Sequence, residues 1–217
     1  FTNVLQDGQR FVDSVRLKQE GKLRPGDADS AWKSFTATQY ITTDPPGFFW
    51  NARVRLWPLI TLRVGDLYRD GTGSAGVSLW GILPIGGDDA NPDLNEGELL
   101  RYLAEAVWYP TALLPSEGVQ WEAIDDSTAA ATLEYGETTA TLTFHFTEDN
   151  EVSKVHAKRP RRVADGYEPT PWTGRWHDYE SRNGMQVPTA GEVVWHLPDG
   201  DMEAWRGRVT EISYDEL

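Results

Sequence analysis

The 217-residue chain contains no cysteine. This absence excludes disulfide bonds, metal sites built on thiolates and a cysteine nucleophile. It does not define the cellular compartment, since cytosolic proteins and exported proteins without disulfides both fit it. A chain of this size buries roughly 70–75% of its unfolded surface, so a stable core needs no covalent cross-link.

Positive charge is also scarce. Lysine and arginine together number 20, against 34 aspartate and glutamate residues, and the net charge is −14. Nucleic-acid-binding proteins need a surplus of cations to displace counterions from the phosphate backbone, so we expect no nucleic-acid partner. The same deficit argues against electrostatic docking of this acidic protein on membranes.

Long hydrophobic runs are missing as well. No apolar segment approaches the ~18–20 residues needed to cross a bilayer. The sequence opens at Phe1 and not at methionine, so we expect that an upstream segment has been removed. If that segment was a signal peptide or an anchor, the protein belongs to the cell envelope; otherwise we expect it in the cytoplasm.

What the sequence does contain is a succession of short strands. Between positions 48 and 56, for example, apolar residues alternate with Asn51, Arg53 and Arg55, the pattern of a half-buried antiparallel strand. About eleven such segments are separated by turn residues, too many for a flat open sheet. We therefore predict one mainly β domain over residues 1–217, an antiparallel meander curved strongly into an open or half barrel. The proline-rich stretch 160–171 is predicted to be an irregular excursion.

A single helix interrupts the strands. We predict that it begins at a capping residue, Asn95, and ends near Trp108, because Pro110 follows. An apolar stripe includes Leu99 and Leu103, so the helix is amphipathic and should cover the sheet. On the opposite side Arg101 and Glu105 are spaced to form an exposed ion pair.

Several segments resemble one family of prokaryotic proteins, an uncharacterised domain of unknown function. The resemblance extends from about Val15 to Tyr214, and its most specific part is ELLRYLAE-x-x-W-x-P-x-ALLP. It is carried by FTATQ, FFWNARVR, VGDLYRDGTGS, ELLRYLAEAVWYPTALLP, WEAIDD, PWTGRWHDY and NGMQVPTAGEVVWHLPDG. The resemblance implies no activity and no catalytic residues.

The order of strands and helix also resembles the unclosed β-barrel of lipoprotein carriers and of related mycobacterial lipoproteins that hold acyl chains. That resemblance concerns the fold alone, and folds do not determine function. It implies a curved sheet with an apolar concave face and a helical cover. Carriers of this kind have several lid helices, whereas this sequence predicts one.

Aromatic residues are abundant, with ten tryptophans in the chain. Large apolar side chains in strands and in the helix can line a hydrophobic ligand site. They can equally well pack a core without any ligand, since each aromatic ring buries a large area. The candidate ligand-binding residues are Trp50, Leu103, Trp108, Leu113, Trp121, Phe144, Trp172 and Trp195.

Catalytic candidates come from the C-terminal strands. His177 and Tyr179 share the parity of one strand, and Glu192 lies on the next. If the faces coincide, the three form a polar cluster suited to general acid–base chemistry; the alternative is an ordinary solvated face. No metal site or cofactor is predicted, because no histidine pair has helical ligand spacing and no glycine-rich loop opens a helix.

These observations leave three functional hypotheses. The leading one is a non-catalytic binding module that holds a hydrophobic or amphipathic, lipid-like small molecule between the curved sheet and the helix. The first alternative is an enzyme, a hydrolase or isomerase, that uses the polar cluster of His177, Tyr179 and Glu192. The second is a protein-interaction scaffold with an exposed apolar patch. The sequence does not indicate an oligomeric state.

Overall fold

One antiparallel sheet contains all thirteen strands of the described structure. The computed structural model describes residues 4–26 and 29–216. The helix α1 spans Pro92–Glu105, and the strands are β1 (Ser14–Leu23), β2 (Lys33–Thr42), β3 (Gly47–Trp57), β4 (Ile60–Arg69), β5 (Thr72–Leu79), β6 (Leu83–Asp88), β7 (Gln120–Asp125), β8 (Thr128–Tyr135), β9 (Thr138–Phe146), β10 (Val152–Val163), β11 (Gly166–Arg182), β12 (Met185–Leu197) and β13 (Gly200–Tyr214).

The sheet is two meanders joined in the middle. Its strand order is β6-β5-β4-β3-β2-β1-β13-β12-β11-β10-β9-β8-β7, so the first and last strands of the chain pair with each other. Strands β6 and β7 form the two edges, and α1 with the turns after it connects one edge to the other. The predicted curved, unclosed antiparallel sheet with one helix is confirmed.

Two segments account for most of the difference from the predicted strands. The chain between Leu83 and Asp88 forms β6, although its glycines and proline favour a loop. The prediction of an irregular excursion at 160–171 is wrong, because β10 and β11 continue there as a hairpin with Pro160 opposite Pro169. Strand β9 pairs with β10 only as far as His156. Beyond His156 one side of β10 has no neighbouring strand among the described residues. A proline, which lacks an N–H group, can stand there without breaking a hydrogen bond of the sheet.

Helix α1 begins one turn before the predicted capping residue. Asn91 is the N-cap, and its side chain accepts a hydrogen bond of 3.0 Å from the backbone N–H of Leu94. Pro92 occupies the first turn, where its missing N–H has no cost. Asn95 instead accepts a 2.8 Å bond from the backbone N–H of Gly73 and so ties the helix to the start of β5.

After α1 the chain continues in short 3-10 turns over 106–108, 110–113 and 115–117. Together with α1 they form the cover of the sheet. The helix packs against β4, β5, β9 and β10, and we call the sheet face that it contacts the inner face. Its predicted apolar residues Leu99 and Leu103 are 0% and 1% exposed.

Three glycines lie side by side on the neighbouring strands β1, β13 and β12. Gly21 pairs with Gly207, and Gly207 pairs with Gly191. A Cβ atom on Gly21 would lie 2.2 Å from the carbonyl oxygen of Arg206, and one on Gly207 would lie 2.6 Å from the ring of Trp205. Because these positions carry no side chain, β13 can approach β1 closely at Gly21, and the ring of Trp205 can lie over Gly207 of its own strand.

Within residues 4–26 and 29–216, no helix has the length and apolar character required to cross a membrane.

Candidate functional site

A network of charged and amide side chains lies between α1 and the inner face. The guanidinium of Arg101 contacts Asp66 at 2.7 Å and Glu105 at 2.8 Å. It also lies over the rings of Phe48 and Trp50, at 4.8 and 5.2 Å from their centres. Burial by itself lowers the pKa of this guanidinium, but the carboxylates of Glu105 and Asp66 raise it above its ordinary value. Arg101 therefore stays charged in a site that largely excludes water.

The predicted Arg101–Glu105 pair forms, but the expectation that it is exposed is wrong. The two side chains are only 15% and 12% exposed. Glu105 also accepts a 2.6 Å hydrogen bond from the side-chain amide of Gln39, which is fully buried in β2. A second glutamine, Gln19 of β1, accepts a 2.8 Å bond from the indole N–H of Trp50. The polar side of α1 is thus bound to β4 and β2 and stacks on two rings of β3.

A second buried ion pair lies one turn earlier on the helix. Glu98 is 6% exposed, and its carboxylate is 3.7 Å from the guanidinium of Arg159 on β10. Arg159 also donates a 3.0 Å bond to the carbonyl of Gly97 and lies over the rings of Trp172 and Trp195. Burial raises the pKa of Glu98 from 4.5 to about 7, although the charge of Arg159 acts to lower it. A buried carboxyl that titrates near neutral pH often marks a functional site.

The raised pKa of Glu98 predicts a pH-dependent stability. Its contribution is fully present below pH 4.5, where the carboxyl is protonated in both folded and unfolded states, and it is lost as the pH rises through about 7. Glu98→Gln removes this titration. Between pH 4.5 and about 7 the free energy of unfolding of the wild-type protein therefore falls relative to that of the variant. Above this range the difference between the two proteins should stay constant. Urea unfolding at several pH values measures it.

Glu134→Gln is the matched control, because Glu134 is an exposed carboxylate on β8. The difference in free energy of unfolding between this variant and the wild-type protein should change little over the same pH range. If Glu98→Gln gave a difference independent of pH, the pKa of Glu98 would not be raised by folding.

The eight apolar candidates lie in or against the core, and two of them line a cavity. Leu113 and Trp121 border a cavity of about 110 Å³ beside the cover, together with Val107, Phe146 and Tyr179. The indole N–H of Trp121 donates a 2.8 Å bond to the carbonyl of Leu113. The cavity therefore lies where the 3-10 turns meet the edge of the sheet.

The other six apolar candidates do not line this cavity. Phe144 is fully buried, with its ring 5.1 Å from that of Trp121. Trp108 packs edge-on against Trp176 and donates a 3.1 Å bond to the carbonyl of Pro188. The rest belong to the packed core or to the polar network, namely Trp50, Leu103, Trp172 and Trp195.

Two of the three catalytic candidates come together. His177 and Glu192 approach to 3.1 Å on the sheet face opposite α1, which we call the outer face. Burial acts to lower the pKa of His177, but hydrogen bonds to Glu192 and Asp178 raise it above its ordinary value. Both residues line an open groove of about 710 Å³, the outer groove, whose wall includes Arg206 and Arg208.

Tyr179 does not belong to this group. Its hydroxyl donates a 2.8 Å bond to the carbonyl of Val152, and its side chain lines the cavity beside the cover. Simple alternation would place Tyr179 on the same face as His177. Asp178, between them, has a left-handed backbone with φ of 56°, which interrupts that alternation. No local pattern indicates this left-handed residue, since aspartate adopts the left-handed region only occasionally.

Comparison with solved structures finds two similar chains. The LolA superfamily protein NE2245 from Nitrosomonas europaea is 13% identical with a TM-score of 0.46, over 97% of this chain and 90% of that one. A β-barrel-like protein of the domain of unknown function DUF1849, from Brucella abortus, is 12% identical with a TM-score of 0.27, over 96% and 100% of the two chains. Similarity at this level concerns the course of the chain and does not extend to function.

Comparison with curated protein sequences gives no match. The family model of DUF6920, by contrast, matches residues 1–214 and so includes the helix, the 3-10 turns, the polar network and the outer groove. The family resemblance of the sequence motifs is thereby confirmed. The chain belongs to DUF6920, a family of unknown function.

Proposed function

We propose that the protein is a non-catalytic binding module that holds the apolar part of an amphipathic, lipid-like molecule between the curved sheet and its cover. The observation that supports this most is the cavity of about 110 Å³ beside the 3-10 turns. Most of its lining is apolar, as a site for a hydrocarbon chain requires, and includes Val107, Leu113, Trp121, Phe146 and Val152.

The cavity must widen to take such a molecule. Sites for drug-sized ligands have volumes of at least about 300 Å³, so the space present accommodates only the end of a chain. A cavity widens most easily beside a segment that makes few buried contacts, because such a segment opens locally at low cost in free energy. On one side the cavity is bordered by Trp121 of β7, an edge strand that pairs with β8 alone.

The buried ion pairs of α1 hold the helix on the sheet, so another part of the cover must move to widen the cavity. Arg101 and Glu98 bind α1 to β4 and β10 through ion pairs that are costly to separate in the interior. The following 3-10 turns are instead short, and Pro115–Glu117 contains no buried residue. The turn Pro110–Leu113 is buried throughout. We infer that α1 and this turn stay in place while the exposed turn Pro115–Glu117 moves away from the edge of the sheet.

A fluorescent fatty acid tests the proposal. Dansylated undecanoic acid should bind the purified protein saturably, and palmitate should displace it. Leu113→Trp replaces a leucine of the cavity wall by a bulkier indole ring, which should fill the cavity. It should weaken binding at least about tenfold, equivalent to about 1.4 kcal/mol. Ile124→Trp is the control, because Ile124 is 57% exposed on β7 and adds the same ring outside the cavity.

Urea unfolding of both variants shows whether they remain folded. Saturable binding that Leu113→Trp leaves unchanged would locate the ligand elsewhere. Absence of saturable binding in the wild-type protein would reject the proposal.

A second candidate function is enzymatic and rests on the His177–Glu192 pair in the outer groove. A histidine whose pKa is raised by a carboxylate is suited to proton transfer, and the neighbouring Arg206 and Arg208 favour an anionic substrate. Turnover of phosphate- or carboxylate-bearing esters that is lost in both His177→Gln and Glu192→Gln, but kept in His145→Gln, would support it. Turnover that both groove variants retain, or none at all, would reject it.

A further inference from the structure

Exposed apolar side chains are concentrated at one place on the molecule. Of the ten large hydrophobic residues exposed in the described structure, six lie on two hairpin ends, which we call the apolar tips. One tip joins β3 to β4 and the other joins β5 to β6. Their exposed fractions are 64% for Trp57, 88% for Leu59, 60% for Trp80, 86% for Ile82, 58% for Leu83 and 55% for Ile85.

The two tips are joined to each other. The backbone N–H of Trp80 donates a 2.9 Å bond to the carbonyl of Thr61. Its indole N–H donates a 3.2 Å bond to the carbonyl of Leu59. The ring of Trp80 can therefore leave water without an unpaired donor, a requirement for burial in a lipid environment.

Cations lie next to the tips on the outer face. The strand register pairs Arg206 with Lys22 and places Arg208, Arg53 and Arg63 in the next cross-strand row. Arg55 lines the outer groove beside them. The carboxylates that line the outer groove beside these cations are Glu20, Asp178 and Glu192. We call this set the cationic strip, and it is positive although the whole chain is acidic.

The cations of the cationic strip nearest the tips have no carboxylate partner. In the part of the chain that the structure describes, Lys22, Arg53 and Arg55 form no ion pair. Asp66, the first acid along β3 and β4, is bound to Arg101 on the inner face. At the tip itself, Lys33 lies over the ring of Trp57, 5.2 Å from its centre.

We propose that the apolar tips and the cationic strip dock the protein on the surface of an anionic phospholipid bilayer. The tips enter the boundary between headgroups and acyl chains, where tryptophan is favoured, and the strip contacts lipid phosphates. The net charge of −14 argues against docking only if charge is spread evenly. Salt screens charges beyond about 8–10 Å, so the local strip decides the attraction.

A second copy of the chain is the other occupant that the tips could accept. Edge strand β6 carries Leu83 and Ile85 and has a free side for pairing. Symmetric pairing across the tips would, however, bring two sets of unpaired arginines together, and like charges across an interface are unfavourable. Charge complementarity therefore favours the lipid surface.

Vesicle co-sedimentation of the full chain tests the docking. Vesicles containing equal parts phosphatidylglycerol and phosphatidylcholine should bind the protein, with weaker binding at high salt, and phosphatidylcholine vesicles should bind it poorly. The double variant Leu59→Ser/Ile82→Ser should lower the affinity at least about tenfold, since it removes two inserting side chains. Arg53→Gln and Arg55→Gln should each lower it about fivefold, the effect of one basic residue near an anionic surface.

The control is Phe11→Ser/Ile124→Ser, which removes two exposed apolar side chains away from the tips and should bind vesicles as the wild-type protein does. Equal binding by Leu59→Ser/Ile82→Ser, or no binding to anionic vesicles, overturns the proposal. A wild-type dimer that dissociates in that variant, without vesicle binding, overturns it in favour of a second copy. Leu113→Trp should still bind vesicles, so this result is independent of ligand binding at the cavity.

Discussion

Replacing Arg101 by methionine should lower the free energy of unfolding by about 3 kcal/mol or more. The variant keeps an apolar side chain over Phe48 but leaves Asp66 and Glu105 without their cation in a largely enclosed site. Removing one member of a buried ion pair costs more than the pair itself contributes, because the remaining charge is neither solvated nor neutralised. Urea unfolding at neutral pH measures the change.

The control for Arg101 is Lys18→Met, which breaks an ion pair with Glu211 between side chains that are 46% and 57% exposed. This change should cost less than about 1 kcal/mol. Adding Asp66→Asn and Glu105→Gln to Arg101→Met should restore part of the lost stability, because no unpaired charge then remains. If Arg101→Met cost as little as Lys18→Met, the network would be solvated and would not anchor α1.

Leu103→Asp should be strongly destabilising. Leu103 is 1% exposed, and truncating a buried leucine to alanine already costs about 2–5 kcal/mol. An unpaired carboxylate adds a further penalty unless the helix leaves the sheet. We expect a loss above about 4 kcal/mol, a large part of the ~5–15 kcal/mol that stabilise a typical domain. Urea midpoints measure it.

Leu103→Met preserves volume and polarity and should cost less than about 1.5 kcal/mol. If Leu103→Asp does not fold at all, Leu103→Ala supplies a measurable intermediate. Small and nearly equal shifts for Leu103→Asp and Leu103→Met would show that α1 is not docked on the inner face through this residue.

The polar side of α1 shows where local sequence patterns stop being informative. Spacing alone correctly predicted that Arg101 and Glu105 would meet. Their burial depends on Asp66 and Gln39, which lie 35 and 66 positions away in the chain from their respective partners. No periodicity within the helix carries that information.

The candidate sites were predicted unevenly for the same reason. Leu113 and Trp121 share a cavity because the 3-10 turns return the chain to β7, a short-range effect. The pairing of His177 with Glu192 required the register of β11 and β12, and the separation of Tyr179 required the left-handed backbone of Asp178. A change of one position in register or parity reverses which face a side chain occupies.

By itself, the sequence determined the strand alternation, the single amphipathic helix ending before Pro110 and the family. These follow from local spacing, from the geometry that proline imposes and from motifs read along the chain. The tertiary structure alone decided that the polar side of α1 is enclosed and that Lys22, Arg53 and Arg206 share one face of an acidic protein. Burial and local charge depend on which strands, distant in sequence, become neighbours in the sheet. The first strand pairs with the last, so these neighbours are defined only in the complete sheet.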